Sequence, residues 1–132
     1  MRFTLTLILC VFAGFFSLSA QATLQPTEPS DKIAAVYGAN YQQQNPSIYA
    51  KLQDLLQHRV EYLHYPIEPD EKFPKLSSLS LRNKNNRSLS RDREFNQLTF
   101  NPLKYGIELF PKTKKVYRFD NEPYLIVVLP VE

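Results

Sequence analysis

The sequence predicts an α+β domain, with N-terminal helical segments packed on a small antiparallel sheet of about four strands and a long irregular loop between them. Three observations carry this expectation. Apolar residues at helical spacing are confined to residues 31–57, period-2 alternation begins at Val60 and returns after Pro102, and Asp120-Asn121-Glu122-Pro123 is turn chemistry between two β-rich runs.

The 132-residue chain opens with Arg2, an apolar run over residues 5–16 and a small-x-small site at Ala20-Gln21-Ala22. This pattern predicts a signal peptide over 1–22, cleaved after Ala22. A membrane-spanning anchor needs about 20 apolar residues, and the run from Leu5 to Leu18 is too short for one. A lipid-anchored reading through Cys10 conflicts with Leu9 before it and with the apolar core that continues to Phe16. Cys10 is the only cysteine, so the cleaved chain would hold no disulfide, which suits a bacterial periplasm better than a eukaryotic secreted domain. Periplasmic or secreted is therefore the expected location.

Residues 23–30 are polar and proline-containing and read as a flexible linker, followed by a single domain over 31–132. Ser30 offers an N-cap for a short helix through Ile33, Ala34, Val36 and Tyr37 that Gly38 can terminate, and residues 39–44 can add another turn. Asn45-Pro46 starts the clearest helix, 46–57, with Ile48, Leu52, Leu55 and Leu56 on one face. Val60, Tyr62 and His64 then alternate as a strand until Pro66. Residues 66–96 are rich in proline, serine and asparagine, and a segment of this length without regular structure is the place to seek a binding surface. Leu103, Tyr105, Ile107 and Leu109 alternate in a further strand, and residues 116–119 and 124–129 form a hairpin whose second, wholly apolar strand lies centrally in the sheet under the Pro46 helix.

Charge is divided along the chain: residues 23–71 carry net −4, residues 72–118 net +9 and residues 119–132 net −3. The division marks either a surface for an acidic partner or an acidic half that folds against a basic one. Arg82, Lys84, Arg87, Arg91 and Arg93 place five cations within twelve residues, the sharpest binding candidate, with a solvated solubilising loop as its alternative. Tyrosines are not interleaved with this cluster, so nucleic acid is not the expected partner.

Catalytic sets are sparse. His58, Glu61 and His64 do not converge in a strand or in a helix, so no metal is expected, and no cofactor loop exists. There is no Gly-x-Ser-x-Gly elbow, and Glu68, Asp70 and Glu71 read as a solvated charged turn beside Lys72 and Lys75 rather than as a glycosidase pair.

Three stretches, residues 69–78 (PDEKFPKLSS), 100–105 (FNPLKY) and 120–128 (DNEPYLIVV), resemble a group of small exported bacterial proteins without an assigned activity. The resemblance implies an extracytoplasmic protein whose Phe73, Leu76 and Leu79 tuck onto the sheet, and it transfers no catalytic residue. The expected function is a non-catalytic binding or accessory protein of the bacterial envelope, using loop 73–93 to contact an acidic envelope protein, lipid or glycan. Two alternatives stand beside it: a hydrolase of an envelope polymer built on His64 or Glu68 with a loop serine, and a structural subunit that pairs through an edge strand.

Overall fold

The computed structural model describes residues 25–66 and 72–131. The expected signal peptide, Cys10 and the carboxylates Glu68, Asp70 and Glu71 lie outside the described residues. Helix α1 spans Pro29–Tyr37, α2 Tyr41–Gln44 and α3 Pro46–Asp54, and a π turn at Leu55–Arg59 leads into strand β1, Val60–His64. Strands β2, Lys115–Arg118, and β3, Tyr124–Val128, complete a three-stranded antiparallel sheet in the order β1-β3-β2. The class is α+β, and the wholly apolar run is the central strand.

Local chemistry explains the helix boundaries. Pro29 takes the first position of α1, where its missing N–H costs nothing, and Glu28 is the N-cap. The expected cap Ser30 is therefore inside the helix. Helix α1 thus takes in the last two positions of the expected linker over 23–30, and the Thr27 N–H donates to the Leu98 carbonyl at 2.9 Å. Gly38 ends α1 at φ 100°, a conformation that only glycine adopts without strain. Helix α3 starts at Pro46 as expected but leaves α geometry at Leu55, because the π turn carries Arg59 inward while Leu55 remains buried.

The fourth strand expected over residues 103–109 is absent, although its alternation is real: Leu103, Tyr105, Ile107 and Leu109 are all buried. A 3-10 turn at Pro102–Lys104 opens this stretch, capped by the Asn101 side chain, which accepts from the Leu103 N–H at 3.1 Å and donates to the Lys32 carbonyl at 2.9 Å. The extended residues beyond it meet the sheet through side chains. Their carbonyls are met by Arg82, and the Gly106 N–H by Ser80, instead of by a neighbouring strand.

The core joins Ile33 and Val36 of α1, Tyr49, Leu52 and Leu55, the segment Phe100 to Leu109, and Tyr117, Phe119, Ile126 and Val128 from the sheet side. Leu76 is buried with them and Leu79 packs against them. Phe100 sits among aromatic neighbours, with ring centroids 5.7 Å from Tyr62, 5.4 Å from Phe95 and 5.8 Å from Tyr105. Burial pushes the phenols of Tyr62 and Tyr105 far above the ordinary value of 10.0. Folded tyrosines then keep protons that the unfolded chain releases. Stability should be level up to that value and fall as pH rises beyond it, by up to about 1.4 kcal/mol per pH unit for each such tyrosine. Denaturant unfolding between pH 8 and 11 checks this, and Tyr62→Phe should flatten part of the slope.

The two sheet edges differ. The Arg118 N–H on β2 donates to the Pro74 carbonyl at 2.9 Å, which partly covers that edge. On β1, Leu129 N–H donates to Arg59 O at 2.8 Å and Tyr65 N–H to Pro123 O at 2.7 Å. Odd-numbered residues therefore face β3, and Tyr62 and His64 turn their backbone groups outward.

Candidate functional site

The basic segment is held as an extended frame against residues 103–107. Leu81 bridges Tyr105 in antiparallel sense, Gly106 N–H donates to Ser80 O at 2.8 Å, and Arg82 N–H donates to Lys104 O at 2.7 Å. Gly106 permits this approach, since a Cβ there would lie 3.2 Å from both the Ser80 carbonyl oxygen and its Oγ.

Arg82 supplies what a missing strand would have supplied. Its Nη1 donates to the carbonyls of Leu103, at 3.2 Å, and Tyr105, while Nη2 donates to that of Ile107 at 2.6 Å. Alternate carbonyls of an extended segment point the same way, and the planar fork of a guanidinium spans three of them. Burial draws the Arg82 pKa below its ordinary value, against the opposing influence of Tyr37 and Tyr117. Arg91 acts in the same manner, donating from Nη1 to Leu76 O at 3.1 Å and from Nη2 to Leu79 O at 2.6 Å. Between them, the Asn86 amide donates to Ala35 O on α1 at 2.8 Å while its oxygen accepts from the Ser88 N–H at 3.1 Å.

Two of the five sequence-selected cations are thus committed to backbone carbonyls. Lys84, Arg87 and Arg93 are exposed and make no hydrogen bond or ion pair among the described residues. Asp92, the acid within the cluster, is engaged by Lys104 Nζ at 2.9 Å and by the Tyr105 hydroxyl at 2.7 Å.

Arg91 and Arg93 border a cleft of about 430 Å³ closed on its other sides by Leu76, Ser77, Tyr105 and the 119–121 turn. Asp120 in that turn accepts from the Ser77 N–H at 3.0 Å and from the Ser77 hydroxyl. Among the described residues, with Asp120 and Asp92 both paired and Arg91 on carbonyls, Arg93 is the cation the cleft leaves unmatched. Among the described residues, Ser77 is the only serine on its wall and no histidine borders it. His64, the base expected in a hydrolase reading, packs edge-on against Tyr124 at 5.3 Å, and His58 is exposed in the π turn. Among the described residues, no three of His, Cys, Asp and Glu are grouped as ligands for a metal ion.

The internal roles of Arg82, Asn86 and Arg91 have no sequence signal, because their acceptors lie 12 to 51 residues away. A hint exists only in the company they keep, alternating Leu79, Leu81 and Leu89 that pack on the core. No protein-family model, curated protein or solved structure matches this chain.

Proposed function

We propose that the chain is an exported, non-catalytic binding or accessory protein of the bacterial cell envelope, and that Lys84, Arg87 and Arg93 engage the anionic groups of an acidic partner. One observation carries this reading. Arg82 and Arg91 spend their guanidinium groups on backbone carbonyls, and by doing so fix the frame on which the other three cations stand exposed, without partners among the described residues. A frame ordered before binding loses less conformational freedom on association. The net +9 over residues 72–118 adds long-range attraction for the same class of partner. Export rests on the pattern of residues 1–22; among the described residues, no helix is long and apolar enough to cross a membrane.

The test separates framing cations from contacting ones. Lys84→Ala, Arg87→Ala and Arg93→Ala together should leave the unfolding free energy within about 0.5 kcal/mol of the parent, as substitutions at unpartnered surface positions do. The same triple variant should lose at least tenfold in retention on crosslinked envelope fractions, anionic vesicles or polyanionic glycan at about 0.15 M salt, where exposed charges act only at close range. The matrix that retains the parent and releases the variant identifies the partner class. Equal retention of both on all three would sink the assignment.

A further inference from the structure

A second surface, sharing no residue with the basic frame, lies where α3 meets the end of the chain. Arg59, the last residue of the π turn, is only 8% exposed. Its Nε donates to Asp54 Oδ2 at 2.9 Å, and Nη2 reaches the Lys51 carbonyl at 3.5 Å, the outer limit of a hydrogen bond. Among the described residues, buried Nη1 has no acceptor. The Phe110 ring covers the guanidinium with its centroid 5.5 Å from Cζ, which offers a π face but no lone pair. A buried N–H without an acceptor is destabilising, the more so when the group is charged.

The surroundings of this cation are apolar and open. Ile48, Phe110 and Val131 are 43%, 40% and 60% exposed, and they converge with Lys51, Asp54 and Arg59 around one groove of about 400 Å³. Singly exposed apolar side chains are ordinary, but their convergence around a groove is not. The volume falls in the range of small-molecule sites, about 300–1,000 Å³. Beyond Val131 a second cleft of about 520 Å³, bounded by Leu129 and Pro130, shares Asp54 and Arg59.

We propose that this groove binds an apolar monocarboxylate of the acyl-chain type, its carboxylate on Arg59 and its chain against Ile48, Phe110 and Val131. The charge count selects one anionic group: among the described residues lining the groove, Lys51 and Arg59 stand against the single carboxylate of Asp54, which leaves one positive charge. Asp54 occupies Nε and the Lys51 carbonyl lies at the limit of reach of Nη2, so Nη1 remains for a second carboxylate. A neutral apolar molecule would leave Nη1 unsatisfied, and a polyanion would meet apolar walls. The half-exposed Phe110 ring must turn aside to admit the carboxylate, a rotamer change that an exposed side chain makes within nanoseconds.

The chain contains no tryptophan, so Phe110→Trp installs a lone indole, excited apart from the tyrosines, over Arg59 while keeping the aromatic cover. Titration of this variant with decanoate below its micelle concentration should give a saturable emission shift, and decanol should bind at least tenfold more weakly. Ile48→Glu in the same background should weaken decanoate at least tenfold, at a position exposed enough to accept the change without unfolding. The unaltered chain provides a reading independent of the fluorophore: decanoate should raise its melting temperature and decanol should not. The proposal is overturned by an absence of saturable binding together with an unmoved melting temperature, by equal binding of decanol, or by indifference to Ile48→Glu.

Discussion

Arg82→Ala is expected to lower the unfolding free energy by about 3 kcal/mol, since hydrogen bonds to a charged group contribute about 1.5–3 kcal/mol each and water recovers part of the loss at a half-buried site. The guanidinium donates to the carbonyls of Leu103, Tyr105 and Ile107, and no other described group does so. Arg82→Lys keeps the charge but presents an ammonium in place of a planar fork, so it should restore less than half of the loss. Urea unfolding of the two variants beside Arg87→Ala, which removes an exposed charge without partners, measures the difference. If all three variants unfold alike, the guanidinium does not hold this segment. Loss of the Arg82 staple should also free residues 80–93, seen as faster amide hydrogen exchange there than in β3.

Phe100→Ala is expected to cost more, about 4 kcal/mol, within the 3–5 kcal/mol typical of removing a buried phenyl ring. Phe100 is 2% exposed and contacts Tyr62, Phe95, Tyr105 and Phe119, joining β1, the basic frame and the hairpin. These rings belong to segments distant in sequence and cannot collapse together into the vacated space without moving the sheet. Small domains have only about 5–15 kcal/mol of stability, so this single change should bring the chain close to unfolding at ordinary temperature. The control is Leu98→Ala, two residues away and 42% exposed, which should fall within about 0.5 kcal/mol of the parent. A small effect at Phe100 beside a large one at Leu98 would reverse the assignment of the core.

Much of the secondary structure follows from short-range chemistry. Asn45-Pro46 begins α3, the alternation at Val60 marks β1, and the 120–123 turn with its apolar sequel yields the hairpin and its central strand. Such signals depend on a residue and its near neighbours, so a sequence carries them intact. The strand expected at 103–109 shows where this reasoning ends. Alternation reports only that one side of an extended segment is buried, and says nothing of what satisfies its backbone. Here residues 80–82 and the Arg82 guanidinium do so, in place of a fourth strand. The π turn is equally invisible, because the one-residue widening that turns Arg59 inward depends on the helix meeting β1.

The five cations of the basic run present the same division. Their number and clustering are properties of the sequence, and so is the attraction they exert on an acidic partner. Which of them remain available is decided by carbonyls that arrive from residues 76, 79, 103, 105 and 107, leaving Lys84, Arg87 and Arg93 exposed. The Arg59 groove belongs wholly to the fold, since Ile48, Phe110 and Val131 come from three separated parts of the chain. By itself the sequence determined the class, the order of the helices and the central strand, because periodicity and turn chemistry are local. The tertiary structure decided which charges are spent and which are free, because hydrogen bonds to distant carbonyls form only when the segments have been brought together.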